Sequence, residues 1–187
     1  QTKRNVKNQK TGGLSLQNLM LAAVLLAAGA ALKFTVGNII NFGMKPNFII
    51  AMYCLIVLLI KPKVWEAAII GLLAGVVCQF FPGTPYLNLA SELIGAVAMC
   101  LLIRIPISDS KNILKNAVNV SAATFISTLI SGFTFLGLMY LVFYAGSQQG
   151  TPPTALGVFL GIILGTATIN TIIVQILYLP LKGVLKR

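Results

Sequence analysis

A single carboxylate interrupts one of the apolar stretches of this sequence. The chain has 187 residues and only three acidic ones, and Glu92 follows the motif FPGTPYLN by about one helical turn. An ionisable side chain in an apolar span is costly and usually has a function. Glu92 could bind the ammonium group of a substrate, carry a proton in a secondary transporter, pair structurally with Lys45, or simply reach outward to the surface. We favour contact with a substrate.

The segment from Lys33 to Phe48 holds the second candidate. Its sequence is KFTVGNIINFGMKPNF, in which Lys45 precedes Pro46. A residue before proline is biased towards an extended backbone, so Lys45 would lie just outside the next apolar run. Its ammonium group could meet an anionic group such as a carboxylate, or it could fix the helix end at the membrane surface. The residues leave both interpretations open.

Aromatic residues collect around these two segments. They could form the belt that is common at membrane interfaces, or they could enclose a flat ligand, since offset aromatic pairs are favourable beyond their burial. Asn88, beside them, offers both a donor and an acceptor. The aromatic residues concerned are Phe42, Phe80, Phe81 and Tyr86.

Polar and small residues mark two other apolar runs. Asn170 and Gln175 lie within the last run, where most such side chains form modest hydrogen bonds between helices. Asn170 is the better candidate for contact with a substrate. In the first run, Ala23, Ala27 and Ala31 recur every fourth residue and make one smooth helix face. A second helix could approach that face closely, from within the same bundle or from a partner protein.

Several classes of chemistry lack their residues here. The chain has no histidine, and its three cysteines lie singly in apolar runs without CxxC spacing. The sequence contains no GxxxxGK[ST] phosphate loop and no GxSxG or HExxH motif. We therefore expect no metal, no cofactor, no catalytic residue and no ATP hydrolysis by this chain itself.

The composition identifies the solvent of the folded chain as a bilayer. Hydrophobic residues make up 57% of the sequence and charged residues 9%, where a soluble domain normally has about 25% charged residues. Six apolar runs predict six helices, of which the second and fourth are short for a full span. We predict an all-α integral membrane protein, a compact bundle of six transmembrane helices at 15–187, preceded by a flexible basic tail at 1–14. The predicted spans are 16–36, 47–60, 64–81, 88–103, 117–144 and 153–181.

Basic residues fall on one side of this predicted bundle. All but two of the 14 lysines and arginines lie in the N-terminal tail, in the second and fourth loops, or at the C-terminus. The exceptions are Lys33 and Lys45. The positive-inside rule then predicts a multi-pass plasma membrane protein with both termini in the cytoplasm. The net charge of +11 is thus a topology signal and does not indicate a nucleic-acid partner.

Four segments resemble a known family. FGMKPN, KPKVWEAAIIGLLAGV, FPGTPYLN and INTIIVQILYLPL look like the matching segments of the TrpP family. These are tryptophan-specific substrate-binding S components of energy-coupling factor (ECF) transporters, a type of ABC importer. The likeness covers about residues 18 to 187, and FGMKP together with FP…N is its most specific part.

The resemblance implies a function. An S component captures its ligand at the external face while its first and third external loops close over the pocket. It then docks on a membrane coupling protein, the ECF T component, which two cytosolic ATPases drive. On this basis the face of Ala23, Ala27 and Ala31 would be the docking surface, and tryptophan the ligand.

Tryptophan also suits the candidate residues. Its ammonium group needs a carboxylate such as Glu92, its carboxylate needs a cation such as Lys45, and its indole needs aromatic walls and an acceptor such as Asn88. Three alternatives to a tryptophan S component remain open. One is a stand-alone, proton-coupled secondary transporter with Glu92 as proton carrier, and another is an S component for another small nutrient. The third is a membrane scaffold or assembly subunit without a transport role.

Overall fold

A computed structural model describes residues 15–39, 46–81, 86–105, 113–145 and 153–185 of the chain. All the regular secondary structure in these parts is helical, with no strand among them. The prediction of an all-helical membrane bundle is confirmed. The helices are α1 (Leu16–Ile39), α2 (Ile49–Ile60), α3 (Val64–Cys78), α4 (Leu87–Leu102), α5 (Ile113–Met139), which continues as a π-helical turn (Tyr140–Tyr144), and α6 (Pro153–Leu185).

Helix α2 forms the centre of the bundle. Ten consecutive side chains, from Ile49 to Leu58, are buried, and the helix contacts each of the other five. A helix that is apolar all round belongs inside a protein. Its 12 residues extend over about 18 Å, well short of the roughly 30 Å of a hydrocarbon core. Helix α2 is therefore a core element that cannot cross the bilayer by itself.

The three long helices surround this core and meet the length of a membrane span. The apolar spans are Leu16–Val36 in α1, Asn116–Phe143 in α5 and Leu156–Leu185 in α6, and each has less than a third of its most apolar window buried. Large apolar side chains cover their outer faces, as in Met20 and Val24 of α1. Such continuous apolar exposure suits contact with lipid.

A polar turn joins α2 to α3 at one end of the bundle. Lys61 ends α2 in the left-handed conformation at φ 50°. The backbone N–H of Lys63 donates to Glu66 Oε2 at 2.8 Å, so this carboxylate caps the first turn of α3. Arg104, after α4, donates to the carbonyl oxygen of Pro62 at 3.0 Å. Glu66 thus has a structural role.

Helices α3 and α4 approach each other at backbone distance. A Cβ atom built on Gly71 would lie 2.6 Å from the carbonyl oxygen of Glu92, and one on Gly75 would lie 2.7 Å from the Cα of Leu89. Only glycine fits at such separations. These two glycines of α3 therefore set the position of the first turns of α4, where Asn88 and Glu92 lie.

Candidate functional site

Glu92 lies inside the bundle, with 1% of its surface exposed. Its two carboxylate oxygens accept hydrogen bonds from different parts of the chain. Asn47, just before α2, donates from Nδ2 to Oε1 at 2.6 Å, and Ser131 of α5 donates from Oγ to Oε2 at 3.2 Å. The side chain therefore does not reach outward to the surface, and both donors that hold it are neutral.

Asn47 connects Glu92 to two further helices. Its backbone carbonyl accepts a hydrogen bond from Nδ2 of Asn170 in α6 at 3.1 Å. Its side-chain amide contacts the Sγ atom of Cys78, at the end of α3, at 3.5 Å. Its Oδ1 also accepts from the backbone N–H of Ile49, which helps to begin α2. The residue after Pro46 thus joins α2, α3, α4 and α6.

Lys33 of α1 supplies a buried positive charge to the same region. Its side chain is 7% exposed, and Nζ lies 3.5 Å from Sγ of Cys78. The ammonium group also lies over the ring of Phe81, 5.1 Å from the centroid, in the range of a cation–π interaction. Cys78 also contacts Asn47, which donates to Glu92, so Lys33 and Glu92 belong to one connected group of side chains.

Three buried polar atoms near these residues have no hydrogen-bond partner in the described part of the chain: Tyr53 OH, Ser91 Oγ and Asn170 Oδ1. The Tyr53 hydroxyl lies against Gly95 of α4, where the side chain of Ser131 also packs. Buried polar atoms are normally paired, and each unpaired one costs about 1–3 kcal/mol. These three unpaired atoms therefore require an explanation.

All six helices contribute to this region, which we call the Glu92 cluster. Its charged members come from α1 and α4, and its neutral members come from α2, α3, α4, α5, α6 and the short segment that precedes α2. The members of the Glu92 cluster are Lys33, Asn47, Tyr53, Cys78, Ser91, Glu92, Ser131 and Asn170.

The structure brings some of the predicted site residues to this cluster and leaves others apart. Asn170 is fully buried in it, and the half-buried Phe81 borders it through Lys33. Asn88 is half-buried one turn before Glu92. Phe80 and Tyr86 are 83% and 73% exposed, and their predicted contact with a ligand stays a prediction. Phe42 and Lys45 lie outside the described residues, so their predicted roles remain predictions.

The alanine face of α1 is turned away from the bundle. Ala23, Ala27 and Ala31 are exposed, whereas Leu25 and Leu26 on the opposite side are buried against the core. Packing against the other described helices therefore does not explain the spacing of these alanines. Their proposed role in docking stays a prediction.

The sequence indicates Glu92 and Asn170 as candidates, whereas only the structure adds Lys33 and Asn47 to the candidate site. For Lys33 a signal was present, because it is a basic residue inside the first apolar run and away from the basic side. The rule that makes an intramembrane carboxylate suspicious applies equally to an intramembrane lysine. Asn47 carried no such signal, since only the fold shows what its amide contacts.

A bundle of apolar helices around buried opposite charges defines the class of the chain as a helical membrane protein, and charges buried in this way mark a candidate functional site. Within that class, the chain belongs to the TrpP family. The family model described as "Tryptophan transporter TrpP" matches residues 15–186. The family resemblance seen in the sequence is thereby confirmed.

Relatives with full-length similarity come from three bacteria, and each is described as a probable tryptophan transport protein. The Clostridium acetobutylicum protein is 28% identical over 172 residues, covering 90% of this chain and 94% of its own length. The Bacillus subtilis protein is 26% identical and covers 93% and 95%, respectively. The Clostridium perfringens protein is 25% identical and covers 90% and 93%. No solved structure matches the chain.

Proposed function

We propose that this protein captures tryptophan and that the Glu92 cluster is its binding site, with the Glu92 carboxylate bound to the ammonium group of the substrate. The observation that carries the proposal is the environment of Glu92. It is the buried carboxylate of the bundle interior, and its hydrogen-bond donors, Asn47 and Ser131, are neutral. Membership in a tryptophan transporter family supplies the substrate class.

Burial of charge explains why this site suits an amino acid. A buried carboxylate without a cation is expensive, and a zwitterion entering the bundle would be equally so unless both of its charges were met. An ammonium group brings one positive charge and three N–H donors. Glu92 meets the charge, and the unpaired Asn170 Oδ1 is an acceptor for a second N–H. Ligand and site therefore compensate for each other's desolvation.

Binding of labelled tryptophan to the purified protein in detergent, measured by equilibrium dialysis, tests this role. The variant Glu92→Gln keeps the size and most hydrogen bonds of the side chain but loses its charge. We expect it to weaken tryptophan binding by about 30-fold or more, since loss of one partner of a buried charge pair costs about 2–5 kcal/mol. Competition by unlabelled amino acids identifies the preferred ligand. It therefore shows whether that ligand is tryptophan or another small nutrient.

Glu66→Gln is the matched control. Glu66 is also a buried carboxylate, 3% exposed, but it caps α3 at the opposite end of the bundle. Glutamine also serves at that capping position, so this variant should bind tryptophan like the wild type. Equal binding by Glu92→Gln and Glu66→Gln would refute the role of Glu92.

For the transport cycle, we propose an S component of an ECF importer with both termini in the cytoplasm. The absence of a phosphate loop from the sequence and the outward-facing alanines of α1 support a division of labour. The chain would bind tryptophan from outside and dock on an ECF T component through Ala23, Ala27 and Ala31. Two cytosolic ATPases would supply the energy, and the substrate would be released inside.

The buried Glu92 carboxylate also favours a second candidate, a proton-coupled secondary transporter in which Glu92 carries the proton. Proteoliposomes separate the two candidates. An S component binds tryptophan but accumulates none until the T component and ATPases are present with ATP. Uptake driven by a pH gradient in liposomes containing this chain alone would establish the secondary transporter instead.

A further inference from the structure

Lys33 is a buried ammonium group whose visible partners are weak. Within the described parts of the chain, no carboxylate forms a salt bridge with it. Its Nζ atom instead contacts the thiol of Cys78 at 3.5 Å and the ring face of Phe81 at 5.1 Å. A thiol is a weak acceptor, and an ammonium group has three N–H donors to satisfy. Both the charge and the donors of Lys33 are therefore incompletely met.

The upper limit on the separation of Lys33 from Glu92 is compatible with an α-amino acid. Three contacts join the two charges in a chain, from Lys33 Nζ to Cys78 Sγ, from there to Asn47 Nδ2, and from there to Glu92 Oε1. Their lengths place the charged atoms no more than about 10 Å apart. A zwitterion that bonds to a carboxylate at one end and an ammonium group at the other needs up to about 8–9 Å. The two side chains therefore lie close enough together for one amino acid to reach both.

We propose that Lys33 binds the carboxylate of the substrate, so that Lys33 and Glu92 together recognise the two charged groups of one amino acid. This inference rests on the proposed capture of tryptophan by the Glu92 cluster. It assigns to Lys33 the role for which the sequence suggested Lys45. The ring of Phe81, which already contacts Lys33, would form an apolar wall beside the bound carboxylate.

Two binding side chains of opposite charge, Lys33 and Glu92, make the site selective for a zwitterionic ligand. A ligand without a carboxylate leaves Lys33 buried and unpaired, and a ligand without an ammonium group does the same to Glu92. Leaving one member of a buried charge pair alone costs more than the pair itself gains. The site should therefore reject both kinds of analogue, even when each carries the complete indole ring.

Three ligands test this assignment in the purified protein: tryptophan, tryptamine, which lacks the carboxylate, and indole-3-propionate, which lacks the ammonium group. The wild type should prefer tryptophan to tryptamine by about 30-fold or more. In Lys33→Met, tryptophan should lose that advantage while tryptamine binds at least as well as before. Lys33→Arg, which keeps the charge, should retain a preference for tryptophan.

Lys182→Met is the matched control. Lys182 lies over the ring of Tyr178 with the same 5.1 Å separation, but near the C-terminal end of α6. Loss of this ammonium group should change neither the affinity for tryptophan nor the preference over tryptamine. If Lys33→Met does not fold, Lys33→Gln provides the same comparison with a polar head group.

The outcomes separate the two proposals. Absence of tryptophan binding by the wild type would refute the proposed function itself. If the wild type binds tryptophan and tryptamine equally, or if loss of the Lys33 charge weakens both by the same factor, capture stands but Lys33 does not read the carboxylate. The assignment is supported if Lys33→Met loses the preference for tryptophan over tryptamine while Lys33→Arg and Lys182→Met retain it.

Discussion

The variant Gly71→Ala tests whether the close approach of α3 and α4 holds the Glu92 cluster together. A Cβ atom on Gly71 would lie 2.6 Å from the carbonyl oxygen of Glu92, 2.7 Å from the Cα of Leu93 and 2.8 Å from the Cβ of Ala96. Ordinary contacts between heavy atoms are about 3.5–4.0 Å long. Two of the three neighbours are backbone atoms that cannot rotate away. The helices must therefore separate by about 1 Å.

The expected magnitude follows from this displacement. An added methyl group in a well-packed core costs about 1–3 kcal/mol in the free energy of unfolding. The same shift lengthens the 2.6 Å hydrogen bond between Asn47 and Glu92, and a bond to a charged group is worth about 1.5–3 kcal/mol. We therefore expect lower stability and a loss of tryptophan affinity of about 10- to 100-fold.

Gly161→Ala is the control for this experiment. A Cβ atom on Gly161 of α6 would meet nothing within 4 Å, and alanine favours a helix over glycine by about 1 kcal/mol. Thermal unfolding in detergent can be followed with a dye that fluoresces on reaction with thiols, because all three cysteines are buried in the folded chain. If Gly71→Ala unfolds at the same temperature as Gly161→Ala and binds tryptophan like the wild type, the packing argument is wrong.

Two further substitutions examine the neutral residues of the Glu92 cluster. Asn47→Leu removes the amide that donates to Glu92 and contacts Cys78. The free energy of unfolding should therefore fall by about 1–3 kcal/mol, and tryptophan binding measured by dialysis should weaken. Wild-type values for both would contradict the role of this amide. Tyr53→Phe removes a buried hydroxyl without a hydrogen-bond partner. Its unfolding temperature should stay equal or rise, and a clear drop would show that the hydroxyl is paired.

The positions of the helices could be predicted from the sequence because long apolar runs alternate with shorter polar turns. Helix α4 was expected at 88–103 and is observed at Leu87–Leu102. Helix α5 was expected to begin at Ala117 but begins at Ile113, because helical hydrogen bonds continue through residues too polar for an apolar run. Helix α6 likewise extends beyond 181 to Leu185, and Lys182 is accommodated there by Tyr178.

The site was only partly predictable, and the reason is distance along the chain. Glu92 was identified because a lone carboxylate in an apolar run is conspicuous by itself. Its bonds to Asn47 and Ser131 join residues 45 and 39 positions apart, and no local pattern encodes such pairs. Lys33 was first interpreted only as an exception to the charge topology. Its contact with Cys78 became visible when the packing of α1 against α3 was known.

The position of bound tryptophan tests the central claim most directly. A crystal of the protein soaked with a bromotryptophan would locate the ligand through the anomalous signal of bromine. We predict a single peak within the bundle, with the ligand's ammonium group within hydrogen-bond distance of Glu92. A peak on the lipid-facing surface, or at the opposite end of the bundle near Trp65, would contradict the assignment of the Glu92 cluster as the binding site.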